Sequence, residues 1–167
     1  MDKKVYELLN DQINKELYSA YLYLDISNYY SDKGLDGFAS WYRIQAAEEE
    51  EHAMKIYDYL LDNSQKVVLK AIDAPDAKFD DLMGPIKKAA EHERYVTDLI
   101  HTIYEAAVKV NDFRTTQFLD WFVAEQGEEE KNADDLVTKM ELFGGDPKSL
   151  YLLDQELAGR QAEGGEE

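Results

Sequence analysis

Residues 48–54 read Glu48-Glu49-Glu50-Glu51-His52-Ala53-Met54, at the centre of a stretch from about 37 to 63 that contains no proline. Taken at alternating steps of three and four, that stretch yields the stripe Phe38, Tyr42, Gln45, Glu49, His52, Ile56, Tyr59. This is the spacing at which one face of a helix meets a bundle core. The stripe is apolar at both ends and acidic in its middle. Glu50 and Glu51 fall off it and read as a solvated face, the usual meaning of an acidic run.

The same alternation picks out three further seams. They are Tyr6, Leu9, Ile13, Glu16, Ala20, Tyr23, Ser27, Tyr30; Leu82, Ile86, Ala89, Glu93, Val96, Ile100, Ile103, Ala107, Val110; and Thr115, Leu119, Phe122, Gln126, Glu129, Ala133, Leu136, Met140, Phe143. Proline occurs only at 75, 85 and 147. The spacing therefore predicts helix α1 at about 3–31, α2 at about 37–63, α3 at about 80–110, α4 at about 113–143 and a short α5 at about 147–158. Asp36, Asp80 and Asp112 stand where N-caps are wanted, Gly144-Gly145 offers α4 a left-handed close, and Asp146-Pro147 can open α5.

Only about five residues separate α1 from α2 and about two separate α3 from α4, so each pair folds back as an antiparallel hairpin. Residues 64–79 are different. Extended, they reach roughly 50 Å, against about 40 Å for a helix of about 27 residues. Val67, Val68, Leu69 and Ile72 make them too apolar for a free linker. An extended crossover on the bundle surface, with α2 and α3 parallel, fits both facts. The expected architecture is all-α: a four-helix bundle with one long α2–α3 crossover and a short fifth C-terminal helix.

The helix midpoints lie near residues 18, 50, 95 and 128, so Glu16, Glu49 with His52, Glu93, and Gln126 with Glu129 fall at one height whatever the helix directions. Ionised carboxylates facing one another in a dry core cost several kcal/mol each, and no Lys or Arg lies on these seams to offset them. A pair of cations held by oxygen and imidazole neutralises the conflict. The Glu49-x-x-His52 pair presents both donor types from one helix face. Such a set suits iron or manganese and also admits zinc. A buried polar network without metal is the plain alternative.

Composition agrees. The chain has 167 residues, 44% hydrophobic and 12% aromatic, enough for one domain with its own core. Its 36 acidic against 18 basic residues give a formal charge of −18, which argues against nucleic acid and for cations as partners. With no Cys, thiolate sites, disulfides and iron–sulfur clusters are excluded. No apolar run of about 18 residues and no leader pattern is present, so a soluble, cytoplasmic protein with no membrane partner is expected.

Four segments resemble prokaryotic non-haem ferritins: Asn14-Lys15-Glu16-Leu17-Tyr18-Ser19-Ala20-Tyr21-Leu22-Tyr23, Glu48-Glu49-Glu50-Glu51-His52-Ala53-Met54, Glu91-His92-Glu93-Arg94 and Val123-Ala124-Glu125-Gln126-Gly127-Glu128-Glu129-Glu130-Lys131. The resemblance implies a ferroxidase that oxidises Fe(II) with O2 or H2O2 at a diiron centre and stores ferric mineral inside a 24-subunit homo-oligomer. It implies one iron on Glu16, Glu49 and His52 and a second on Glu49, Glu93 and Glu129. Tyr23 would stand beside the irons and Gln126 beside the oxygen position. Glu48, Glu125 and Glu128, with Glu129 shared, would form a third iron site. Bacterioferritins and rubrerythrins repeat Glu-x-x-His where this chain has Gln126-x-x-Glu129, and Glu50 stands where a haem-ligating Met would be, so no haem is implied.

Remaining residues carry plainer expectations. His92 and His101 lie beside the seams and read as surface or interface residues, and Trp41 and Trp121 as structural or inter-subunit contacts. Gly127 is awkward inside a helix, costing about 1 kcal/mol relative to Ala, and would relieve crowding or allow a bend. The unit spans residues 1–158, and the acidic tail, 159–167, reads as frayed and solvated.

Overall fold

The computed structural model describes residues 1–162. Its helices are α1 (Lys3–Asp32), α2 (Asp36–Asp62), α3 (Gly84–Lys109), α4 (Phe113–Phe143) and α5 (Pro147–Leu157). Among the described residues there is no strand. Cross-helix contacts set the directions. Tyr30 reaches Leu82 while Tyr23 reaches Glu93, so α1 and α3 are antiparallel. Gln45 meets Glu129 and Tyr59 meets Thr115, so α2 and α4 are antiparallel. With α1 and α2 folded back on each other, α2 and α3 run parallel, as the long crossover requires.

That crossover is fastened to α1 by backbone groups finding side-chain partners. Tyr6 donates to the carbonyl of Lys66, Asn10 exchanges two bonds with Val68 (2.9 and 2.8 Å), and Asn14 donates to the carbonyl of Ala71 at 2.9 Å. Further along, Phe79 packs edge-on against Tyr29 with ring centres 5.5 Å apart. Val67 packs against the core, whereas Val68 and Leu69 are exposed.

The seams are buried along almost their whole length, in two apolar clusters at either end of the bundle. One contains Leu9, Ile13, Ile56, Ile100, Leu119 and Phe122, the other Tyr23, Tyr30, Phe38, Tyr42, Ile86, Leu136 and Met140. Along the helices Glu16, Glu49, His52, Glu93, Gln126 and Glu129 fall between the two clusters. Few seam positions depart: Val110 and Phe143, at or beyond helix termini, are exposed, and Tyr6, Ser27 and Leu82 are half-buried.

Several expected terminations differ. Helix α3 starts at Gly84 rather than near 80, since the ring of Pro85 favours the first turn and clashes with a preceding helical turn. Asp81, not Asp80, accepts from the amides of Met83 and Gly84. Asp36 lies inside the first turn of α2, where its charge suits the helix dipole, and Leu35 holds the cap position without a side-chain bond. Asp112 and Asp146 cap as expected, accepting from Thr115 and Ser149. Gly144 is right-handed (φ −77°), not left-handed. It is needed because a Cβ there would stand 2.6 Å from the Met140 carbonyl oxygen. Left-handed residues instead follow α1, α2 and α3, at Gly34, Ser64 and Asn111.

Helix α5 lies across α2 and α4 with Leu153 and Leu157 buried. At Gly37 an added Cβ would fall 1.7 Å from the Asp154 carbonyl oxygen, so this crossing depends on glycine. Asp154 also accepts from the Phe38 amide at 3.0 Å.

Candidate metal centre

Helices α1 and α2 bring Glu16, Glu49 and His52 together: one ligand atom from each lies within 4.8 Å of the others, and all three residues are buried. A second group at the same spacing is His52, Glu125 and Glu129, joining α2 to α4. The two groups share His52, whose Nδ1 is 3.5 Å from Glu49 Oε2 and whose Nε2 is 3.8 Å from Glu125 Oε1. This arrangement needs no metal to form, since helical spacing of three places Glu49 and His52 side by side.

Glu93 lies outside both compact groups. Its carboxylate accepts from the Tyr23 hydroxyl and from Gln126 Nε2 at 3.2 Å. It is nonetheless near the centre, because after burial its charge is the leading reason that Glu49 and Glu129 are pushed upward in pKa. Tyr23 and Gln126 thus act on a carboxylate from α1 and α4. Glu48 is nearly buried, Glu125 is half-buried, and Glu128 is exposed and in neither group. Glu130 is half-buried and accepts from Thr97 at 2.5 Å.

The protonation balance is that of a site short of positive charge. Among the described residues no Lys or Arg is buried. Burial, then the charge of Glu49, holds Glu16 well above the usual carboxylate range, and burial with Glu93 and Glu129 does the same to Glu49. Glu93 is raised by burial against the opposing bonds from Tyr23 and Gln126. Glu129 is pushed up to about 8, by burial first and Glu93 second. One buried oxygen of Glu16, Oε2, meets no donor. Four buried glutamates and an imidazole, with no buried Lys or Arg among the described residues, are a donor set of the kind that divalent cations take.

Of the groups that steady these side chains, Gln45 lies on a seam, whereas Gln12 and Trp121 do not. Gln12 donates to Glu16 Oε1 at 2.9 Å from one turn earlier, and Gln45 donates to Glu129 Oε2 at 2.7 Å. Trp121 packs edge-on to His52 at 5.3 Å, with the Lys55 ammonium over its own ring at 4.7 Å. Gln12 stands four residues before Glu16, a spacing visible in the sequence once Glu16 is suspected. His92 is not a surface residue: it is buried, 2.7 Å from Ser19 Oγ and edge-on to Tyr23 at 6.0 Å. Burial, with Lys88 and Lys15 nearby, depresses its pKa to about 4 and keeps it neutral. His101 is exposed as expected. Gly127 is not explained by crowding, because a Cβ there would meet nothing within 4 Å.

The tail's first turn is also not simply solvated. Arg160 lies over the Trp41 ring, 4.1 Å from its centre, and bonds to Gln45 and Glu48. Residues 163–167 of the expected flexible tail lie outside the described residues.

A family profile for a ferritin-like domain matches residues 6–143. The chain is 39% identical over 155 residues to a bacterial non-heme ferritin of Campylobacter jejuni, covering 93% of each chain. It is 37% identical over 160 residues to one from Staphylococcus haemolyticus, covering 96% of each. In structure it is similar to the open pore ferritin of the archaeon Archaeoglobus fulgidus, with a TM-score of 0.94, 44% identity, and coverage of 96% of this chain and 98% of that one.

Proposed function

The chain belongs to the ferritin family, and on that premise we propose that it stores iron, oxidising Fe(II) at the carboxylate centre and holding the ferric product inside a shell of 24 copies in the cytoplasm. The observation that carries this reading is the buried Glu16, Glu49 and His52 triad, whose ligand atoms lie within 4.8 Å of one another at the middle of the bundle.

Glu16, Glu49 and His52 hold one Fe(II). A second is taken by Glu129, together with Glu49 and Glu93 in the pattern implied by the family, or with His52 and Glu125 in the arrangement that lies closest. Four carboxylates balance the charge of two divalent ions, so filling the site removes the penalty of burying like charges. Two Fe(II) give up two electrons, and O2 with two protons becomes H2O2, or H2O2 with two protons becomes two waters. Carboxylates favour the more highly charged ferric product, which promotes oxidation. Tyr23, held to Glu93 by its hydroxyl, fixes that carboxylate and keeps its own proton, since burial and the nearby glutamates push its pKa well up. Gln126 steadies Glu93 from α4. Glu48, Glu125 and Glu128, with Glu129 shared, form a third iron position that receives ions leaving the pair. Among the described residues no helix is long and apolar enough to cross a membrane.

Addition of Fe(II) in air, with mass and absorbance followed together, tests the reading. A large hollow assembly retaining hundreds of irons is expected. A small oligomer that keeps only two irons per chain would instead mark an oxidase or peroxidase that never mineralises.

A further inference from the structure

Trp41, Gln45 and Glu48 occupy steps of four and three along α2, so they form one stripe that meets the core seam at Gln45. Arg160, just past the end of α5, covers that stripe. Its Nη1 donates to Gln45 Oε1 at 2.9 Å and to the Trp41 carbonyl at 3.3 Å, and its Nη2 donates to Glu48 Oε2 at 2.6 Å. Both side chains of the Arg160–Glu48 pair are mostly covered, at 18% and 11% exposure.

A guanidinium carries only donors, so the Gln45 amide must turn its oxygen toward Arg160. Its NH2 then faces the other way, and it donates to Glu129 Oε2 at 2.7 Å. Were the amide reversed, its oxygen would oppose the Glu129 carboxylate. Gln45 has one acceptor end and one donor end, and the tail determines which one the metal ligand sees.

We infer that Arg160 is a positioning residue of the metal centre: through Gln45 it orients Glu129, the ligand common to both possible sets for the second ion, and it joins the C-terminal segment to the site. This rests on the metal-centre reading above. Tail docking is thereby coupled most directly to occupancy of the second position, while the Glu16–Glu49–His52 position, which Arg160 does not touch, feels it only through the bond Gln45 also makes to Glu49.

Anaerobic Co(II) titration of the assembled full-length protein, followed by the d–d absorption of the bound ion, tests this. The parent is expected to bind two tight Co(II) per chain, and Glu49→Ala to abolish that pattern. Arg160→Met keeps a stem over Trp41 but has no donors. It is expected to weaken the second ion by about tenfold or more, as losses of ligand-orienting partners do, and the first ion less. Gln45→Leu should give at least that loss, and Arg160→Met/Gln45→Leu no more than Gln45→Leu alone, because Arg160 acts through Gln45. Lys139→Met, which breaks the Lys139–Glu156 pair between α4 and α5 without touching Arg160 or Gln45, should leave the second ion within about twofold of the parent. The proposal is overturned if Arg160→Met stays within that range, if Lys139→Met reproduces its loss, or if the double variant loses the product of the two effects. If the parent shows no tight Co(II) that Glu49→Ala removes, the metal-centre reading fails, and this proposal with it.

Discussion

Filling the centre should expel protons, and the number follows from the site's burial. Glu129 titrates at about 8 because it is buried beside Glu93. A carboxyl at that pKa is about 97% protonated at pH 6.5 and about 10% at pH 9. Metal ligation requires the ionised form, so saturating the anaerobic protein with Co(II) at pH 6.5 should release about one proton per chain from Glu129 alone. Glu16 and Glu49, held well above the usual range by burial and by neighbouring carboxylates, add to that number. Between pH 6.5 and pH 9 the Glu129 share should fall by about 0.9 proton. A pH-stat titration reads the release directly, and calorimetry in two buffers of different ionisation enthalpy checks it. The sign extends to stability. Glu129 has a higher pKa folded than its unfolded value of 4.5, so the native state binds more protons than the unfolded one between those pH values. Metal-free protein therefore loses stability as pH rises from about 4.5 through about 8, and the loaded protein does not. Release of less than about 0.3 proton per chain at pH 6.5, or a release that does not decline above pH 8, would refute the reasoning.

Three further predictions rest on separate features. Replacing Glu49 or His52 by Ala should slow the initial phase of Fe(II) oxidation by tenfold or more while light scattering still reports an assembled shell; an unchanged initial rate removes the site assignment. Gly127→Ala should raise stability by about 1 kcal/mol, because the position is helical and open, and a lowered denaturation midpoint would contradict this. Gly37→Ala drives a Cβ into the Asp154 carbonyl, so it should cost about 1–3 kcal/mol or more and expose α5 to proteolysis; wild-type resistance would show that α5 does not need the close crossing.

Much of the buried cluster of carboxylates and His52 was legible before any fold was known, because helical periodicity turns sequence position into height and facing direction. Glu16, Glu49, His52, Glu93 and Glu129 each interrupt an apolar stripe near a helix midpoint, and four midpoints in a bundle converge. His92 was misread for the same reason that the others were found. It lies one residue off its seam, yet α1 packs closely enough there for Ser19 and Tyr23 to enclose it. The stripe marks what faces the bundle axis, and it is silent about what a neighbouring helix covers at the flank.

The sequence by itself determined the four helices, their hairpin pairing, the long crossover and the level at which the acidic residues meet. These follow from local spacing, turn residues and chain length, which act over a few residues at a time. Only the tertiary structure decided which carboxylates approach within bonding distance. Glutamate has three rotatable bonds, so a seam position leaves its head group free over several ångströms, and packing places Glu125 beside His52 while Tyr23 and Gln126 hold Glu93 apart. Only the tertiary structure, too, brought Arg160 to Glu48 across 112 residues of chain, since that meeting depends on α5 crossing α2 at a glycine and no local pattern encodes it.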